Sequence, residues 1–262
     1  MFFDIAFVFY LLALLHSMLY FFLGYKNLIK VINIFVFLGL VLNTMFLVKI
    51  FTLSGNSPFD TIGEIFTFLV FSINIVYLIL YWIYKRPLLY IIISPIILIL
   101  SIVSIFTLDN VYATSSNKNF WLYIHLPFVI FGTSLFLMSA ITGFIYFLQE
   151  RQLKKKNFGI LFNRFPPLET INKLNNFTLL TGFSFYTVGV ISGFIWSFYM
   201  TSFSLFSNPK ILFALISWII FGIIIMLKFI RGLSPKNIAL LSILGFISIC
   251  ITYFIVFLLM RG

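Results

Sequence analysis

IIISPIILILSIVSIF, residues 91–106, is apolar on nearly every side, whether it is wound as a helix or drawn out as a strand. A strand of a membrane barrel alternates polar and apolar residues, so this stretch excludes a closed barrel. The α-helix is then the one element that can satisfy its own backbone in hydrocarbon. Working outward, polar and Pro/Gly clusters divide the chain into eight such stretches, near 2–23, 31–53, 62–84, 88–107, 120–148, 177–200, 210–229 and 237–260. Each is close to the roughly 20 residues that cross about 30 Å of hydrocarbon. Composition agrees: 62% of the 262 residues are apolar, 37 are Phe and mean hydropathy is +1.16, whereas about half of an average soluble chain is apolar. The expected class is all-α, a polytopic integral membrane helical bundle with about eight transmembrane helices in a lipid bilayer.

The net charge of +11 is informative once it is placed. Thirteen of the 17 Lys and Arg fall in alternate connections: Lys26, Lys30, Lys85, Arg86, six from Arg151 to Lys173, then Lys228, Arg231 and Lys236. Lys49, Lys118, Lys210 and Arg261 lie toward the other side, matched by Asp4, Asp60, Glu64 and Asp109. Thirteen less Glu150 and Glu169 is the whole +11, all on one face. By the positive-inside rule that face is cytoplasmic, with both termini outside a bacterial-type inner (plasma) membrane. Charges that follow topology in this way do not form a nucleic-acid patch, so no nucleic acid is expected as a partner.

The first stretch has no basic leader and no small-residue cleavage site, and reads as a retained helix. Cys250 stands alone deep in the last stretch, which removes thiol–disulfide exchange. Without an internal inverted repeat, a single transmembrane domain over residues 1–262 is the simplest organisation. One connection is long, ERQLKKKNFGILFNRFPPLETINKLNN at residues 150–176. Lys154, Lys155 and Lys156 in it serve either as a topology anchor on anionic headgroups, at about 1 kcal/mol per charge, or as a docking surface for a cytoplasmic partner. Phe165 to Glu169 form an extended turn before a new helix start, since consecutive prolines cannot continue a helix.

Three polar or aromatic residues are predicted to meet at the outer face. Glu64 lies a turn inside the third helix, His125 opens the fifth and Trp196 ends the sixth. Ionisable groups in a membrane are expensive and arise for a reason. Either His125 and Glu64 hydrogen-bond within the bundle or face water, or His125 offers a neutral imidazole nitrogen to a heme iron. His16, the other histidine, reads as a polar contact between helices. Asn43, Lys49 and Asn74 are further intramembrane polar positions, with Lys49 able to snorkel outward. A transporter or channel is a further reading, but no helix centre carries an acidic residue to relay an ion. No H-E-x-x-H and no phosphate loop is present.

Several landmarks occur together in order. Pro58 followed by Glu64 enters a helix, and WLYIHLPFVIFGTSLFLMSAITGFIYFLQE opens with His125 and ends before basic residues. RFPPLETINKL is followed by the glycine-spaced LLTGFSFYTVGVISGFIW and then by NPKILFALISWIIF. Over roughly residues 58–258 this arrangement resembles the cytochrome c assembly family, which includes CcsA, ResC and HemX-like membrane proteins. Heme-handling members carry W-G-x-x-W-x-W-D before the P-K pair, where this chain reads WSFYMTSFSLFSNPK over residues 196–210. Asn208 stands in place of the aspartate and Ile211 in place of the glutamate, with Phe203 and Phe206 as the remaining flat side chains. Lys228 lies about where such members carry an intramembrane histidine, and no second outer histidine follows the final stretch.

The resemblance implies a non-catalytic role in heme handling and c-type cytochrome biogenesis. His125 would be the axial ligand to heme, Trp196 a porphyrin contact, and Glu64 a polar neighbour on the propionate side through a cation or water. A stand-alone heme lyase is not expected, so a cytochrome c maturation partner subunit is implied. The missing tryptophans point to the HemX-like branch. The alternative is accordingly a regulator or scaffold that acts through Arg151 to Lys173, with glutamyl-tRNA reductase as its partner.

Overall fold

The computed structural model describes residues 2–54, 59, 61–85, 89–108, 120–156, 159, 165–200 and 209–259. Pro58, Phe203, Phe206 and Asn208 lie outside the described residues. All-α is the observed class: eight helices are each long and apolar enough to cross a membrane. They sort into two compact units, Met1–Lys118 and Asn119–Gly262.

The first unit comprises α1 (Phe2–Leu23), α2 (Asn27–Ser54), α3 (Ile62–Tyr84) and α4 (Leu89–Thr107). Gly24 ends α1 at φ 77°, a left-handed conformation that glycine adopts without a Cβ penalty. A capping box starts α3, in which the Thr61 hydroxyl accepts from Glu64 N and the Glu64 carboxylate accepts from Thr61 N. At the same end α3 and α4 touch almost backbone to backbone. A Cβ on Gly63 would lie 2.6 Å from Leu108 N, and Ser104 Oγ donates to the Gly63 carbonyl at 2.8 Å.

The second unit comprises α5 (Phe120–Lys154), α6 (Leu168–Met200), α7 (Pro209–Arg231) and α8 (Pro235–Leu259). Protein covers 83% of the most apolar stretch of α5, against 17–44% for the other spans. Small residues allow that coverage, because a Cβ on Gly132 would sit 2.8 Å from Tyr186 N and one on Gly143 2.7 Å from the Ala239 carbonyl oxygen. Asn175 of α6 then ties three helices together. Its amide donates to the Ser139 carbonyl at 2.6 Å, while Ser242 of α8 donates to its Oδ1 at 3.3 Å. Trp218 Nε1 donates to Thr187 at 2.9 Å, and Phe136 stacks on Phe221 with centroids 3.6 Å apart.

The structure departs from sequence expectation in three places. Both α5 and α6 run past the spans proposed for them, because Glu150–Lys154 (2.8 Å) and Glu169–Lys173 (2.7 Å) brace the polar turns at i,i+4. Much of the long connection is therefore helix. Gln149 Nε2 donates to the Pro166 carbonyl at 2.9 Å, which fixes the turn before α6. Cys250 sits on an exposed surface of α8, facing away from the packed interior. His16 makes its hydrogen bond within α1, Nδ1 to the Leu12 carbonyl at 2.8 Å, and reaches α2 only as an aromatic edge against Phe35. A helical hydroxyl or imidazole bonded to its own i−4 carbonyl is already satisfied and has no need of a neighbour.

Asn175→Leu should leave the helices intact and lower resistance to detergent-induced unfolding by about 1 kcal/mol, the order of an interhelical hydrogen bond in a membrane. Circular dichroism through an unfolding titration measures it.

Candidate functional site

The site is built by two glycines four residues apart on α6. GVISG, residues 189–193, presents a bare strip of backbone toward α5. A Cβ on Gly189 would lie 2.8 Å from Val129 N, and one on Gly193 would lie 2.5 Å from His125 Nδ1 and 2.6 Å from its Cε1. The imidazole therefore occupies the space left by the missing side chain at 193. It also donates Nδ1–H to the Gly189 carbonyl at 2.7 Å. That carbonyl accepts a second bond, from Ser192 Oγ at 2.9 Å.

A carbonyl can only accept, so the proton of the neutral ring resides on Nδ1 and Nε2 carries the lone pair. A histidine held in this way by a backbone carbonyl has the arrangement of a metal ligand, whose orientation and tautomer are fixed by its other nitrogen. Trp196, one turn further along α6, lies nearly parallel to it with ring centroids 6.3 Å apart and an interplanar angle of 23°. Its indole Nε1 is buried with no hydrogen-bond partner among the described residues. Below the pair, Phe185 packs against Phe128 and Phe131 at 5.4 and 6.2 Å.

Two of the three residues singled out from sequence, His125 and Trp196, are thus brought together in the second unit. Glu64 belongs to the first unit, where its carboxylate caps α3. No group of three or more His, Cys, Asp or Glu residues able to hold a metal ion occurs among the described residues. The His125 site offers one imidazole, the donor set suited to an iron whose equatorial ligands come from a porphyrin. Gly189, Gly193 and Ser192 are neighbours of His125 that the sequence reading did not name one by one; the G-x-x-x-G spacing facing His125 is the signal that marks them.

The cytochrome C assembly protein model matches residues 61–262. The chain belongs to the cytochrome c assembly protein family. Among its curated relatives, the cytochrome c biogenesis protein CcsA of Prochlorococcus marinus (strain MIT 9515) is 27% identical over 246 residues, 85% of this chain and 77% of that protein. CcsA of Prochlorococcus marinus (strain MIT 9301) is 25% identical over 249 residues, 86% of this chain and 80% of the relative. CcsA of Marchantia polymorpha is 26% identical over 261 residues, 84% and 81% of the two chains. With these relatives the protein is an integral membrane member of the family. They lend no support to the HemX-like placement or to glutamyl-tRNA reductase as a partner.

Gly193→Ala should push the imidazole off the Gly189 carbonyl. The ¹⁵N resonance of His125 Nδ1 should then lose the signature of a fixed N–H, while Gly222→Ala, where the nearest Phe183 atom is 3.6 Å from the new Cβ, leaves it unchanged.

Proposed function

We propose that this protein handles heme during assembly of c-type cytochromes, acting without catalysis of its own and holding heme iron through His125 Nε2. The observation that carries the reading is the Nδ1–H bond from His125 to the Gly189 carbonyl, which presents Nε2 as a bare lone pair. The names of the curated relatives supply the pathway, cytochrome c biogenesis. Bound heme would supply an iron centre able to accept an imidazole nitrogen and an apolar macrocycle. Trp196 would lie against the macrocycle and offer its unpaired N–H to an oxygen acceptor such as a propionate. His125 would hold the iron, Gly189 would keep its proton on Nδ1, and Gly193 would leave room for the ring. Glu64 serves α3 as a cap, and the heme reading does not require it.

His125 would be one protein ligand to the iron, and the reading includes a partner subunit of cytochrome c maturation. The site would face outward across a bacterial-type plasma membrane, with both termini on the same side, a reading supported by the thirteen cationic residues of the alternate connections under the positive-inside rule.

Protein expressed with heme synthesis active and purified in mild detergent should show a Soret band and a reduced-minus-oxidised difference spectrum. His125→Ala should lose both, and Trp196→Phe should weaken retention of heme through washing. Equal heme in wild type and His125→Ala would sink the assignment. Orientation is read separately: in a Cys250→Ser background, a cysteine at Lys155 should react with an impermeant maleimide only after the cells are opened. Labelling in intact cells would reverse the topology.

A further inference from the structure

Among its described residues the first unit carries five buried side-chain atoms without a hydrogen-bond partner: Tyr10 Oη, Asn43 Oδ1, Asn74 Oδ1, Tyr90 Oη and Ser94 Oγ. All five residues are 0% exposed, and they come from all four helices of the unit. The pairings across the helices place them along one seam. Tyr10 lies in the space left by Gly39, one turn from Asn43 on α2, with its hydroxyl beside the Asn43 side chain. The Asn43 amide donates to the Thr67 carbonyl at 3.4 Å, which brings α2 onto α3. Thr67 meets Ser104 and Tyr77 meets Tyr90 across the antiparallel α3 and α4, so Asn74 and Ser94 stand at one level between those two contacts. At the far end Tyr77 donates to Asn33 Oδ1 at 3.1 Å. From Thr67 to Tyr77 the seam runs about 15 Å along α3, half of a hydrocarbon core of about 30 Å.

The chemistry of the unpaired atoms selects the occupant. Two are amide carbonyl oxygens that only accept, and three are hydroxyls that donate and accept. The seam residues are all neutral, and a bare ion there would give up its hydration with no opposite charge to replace it. A neutral molecule that both donates and accepts can satisfy hydroxyls and carbonyl oxygens alike. We propose that the interior of the first unit binds ordered waters that satisfy the Tyr10 hydroxyl and the Asn43 carbonyl oxygen and link Asn74, Tyr90 and Ser94. These waters form a joint. They fasten α1 and α2, which precede the family match at residue 61, to α3 and α4, which lie within it.

Radiolytic hydroxyl labelling of the purified protein, read by mass spectrometry, tests this, because radicals formed from bound water oxidise the side chains around it. Tyr10 and Tyr90 should be oxidised several-fold faster than Phe136, equally inaccessible in the second unit, after correction for intrinsic reactivity. Rates at or below that of Phe136 would overturn the proposal. Asn74→Leu replaces an acceptor with an apolar side chain of similar size and should lower oxidation at Tyr90; an unchanged rate in a folded variant would count against it. Should Asn74→Leu fail to fold, Tyr90→Phe removes one oxygen only, and oxidation of Tyr10 and Tyr77 should then fall. None of these readouts depends on heme.

Discussion

A helix enclosed by protein inside a bilayer gains little by leaving the lipid, because hydrocarbon tails are as apolar as the side chains that replace them. α5 meets that constraint by close approach. Gly132, Gly143 and the facing Gly189 bring backbones within contact of their neighbours, and dispersion over those short distances replaces the missing hydrophobic gain. Asn175 adds direction, since its amide reaches Ser139 on α5 and its carbonyl receives Ser242 of α8. Packing by glycines alone would let α5 slide along α6. The buried amide fixes one register, because any slip would strand its hydrogen bonds in a medium with no water to replace them.

The position of His125 follows from that register. Its ring lies over Gly193 and its proton rests on the Gly189 carbonyl, so both the room and the tautomer are properties of the α5–α6 contact. Trp196 enters by the same logic, one turn beyond Gly193 on the face already turned toward α5. The indole N–H, buried and without a partner among the described residues, is a second polar feature beside the imidazole.

Much of the fold was legible because the sequence has few ways to cross a bilayer. Runs such as residues 91–106 mark spans by length alone, and all eight were placed. The boundaries that failed were those of α5 and α6, where hydropathy falls before the helix ends. Glu150–Lys154 and Glu169–Lys173 keep these turns helical through spacing, a signal that hydropathy does not register. The site was half legible. His125 stood out as an ionisable group in a membrane span and Trp196 through the family resemblance; the glycine spacing of α6 was noted as well, but the place of Gly189 and Gly193 against His125 appears only when the opposing atoms are known. Glu64 drew attention for its charge, and its capping box with Thr61 explains that charge locally.

The two histidines show why geometry, more than residue type, separates a candidate ligand from a bystander. Each has Nδ1 on a backbone carbonyl, at 2.8 Å for His16 and 2.7 Å for His125. The carbonyl of His16 belongs to its own helix, so that bond forms wherever α1 forms and carries no information about tertiary structure. The carbonyl of His125 belongs to another helix, 64 residues along the chain, and the bond exists only when α5 and α6 dock in one register. Orientation of the His125 lone pair is thereby coupled to the packing of the second unit. Any motion between α5 and α6 would alter the ring's direction and its proton together. His16, satisfied within its own helix, has no such dependence on packing.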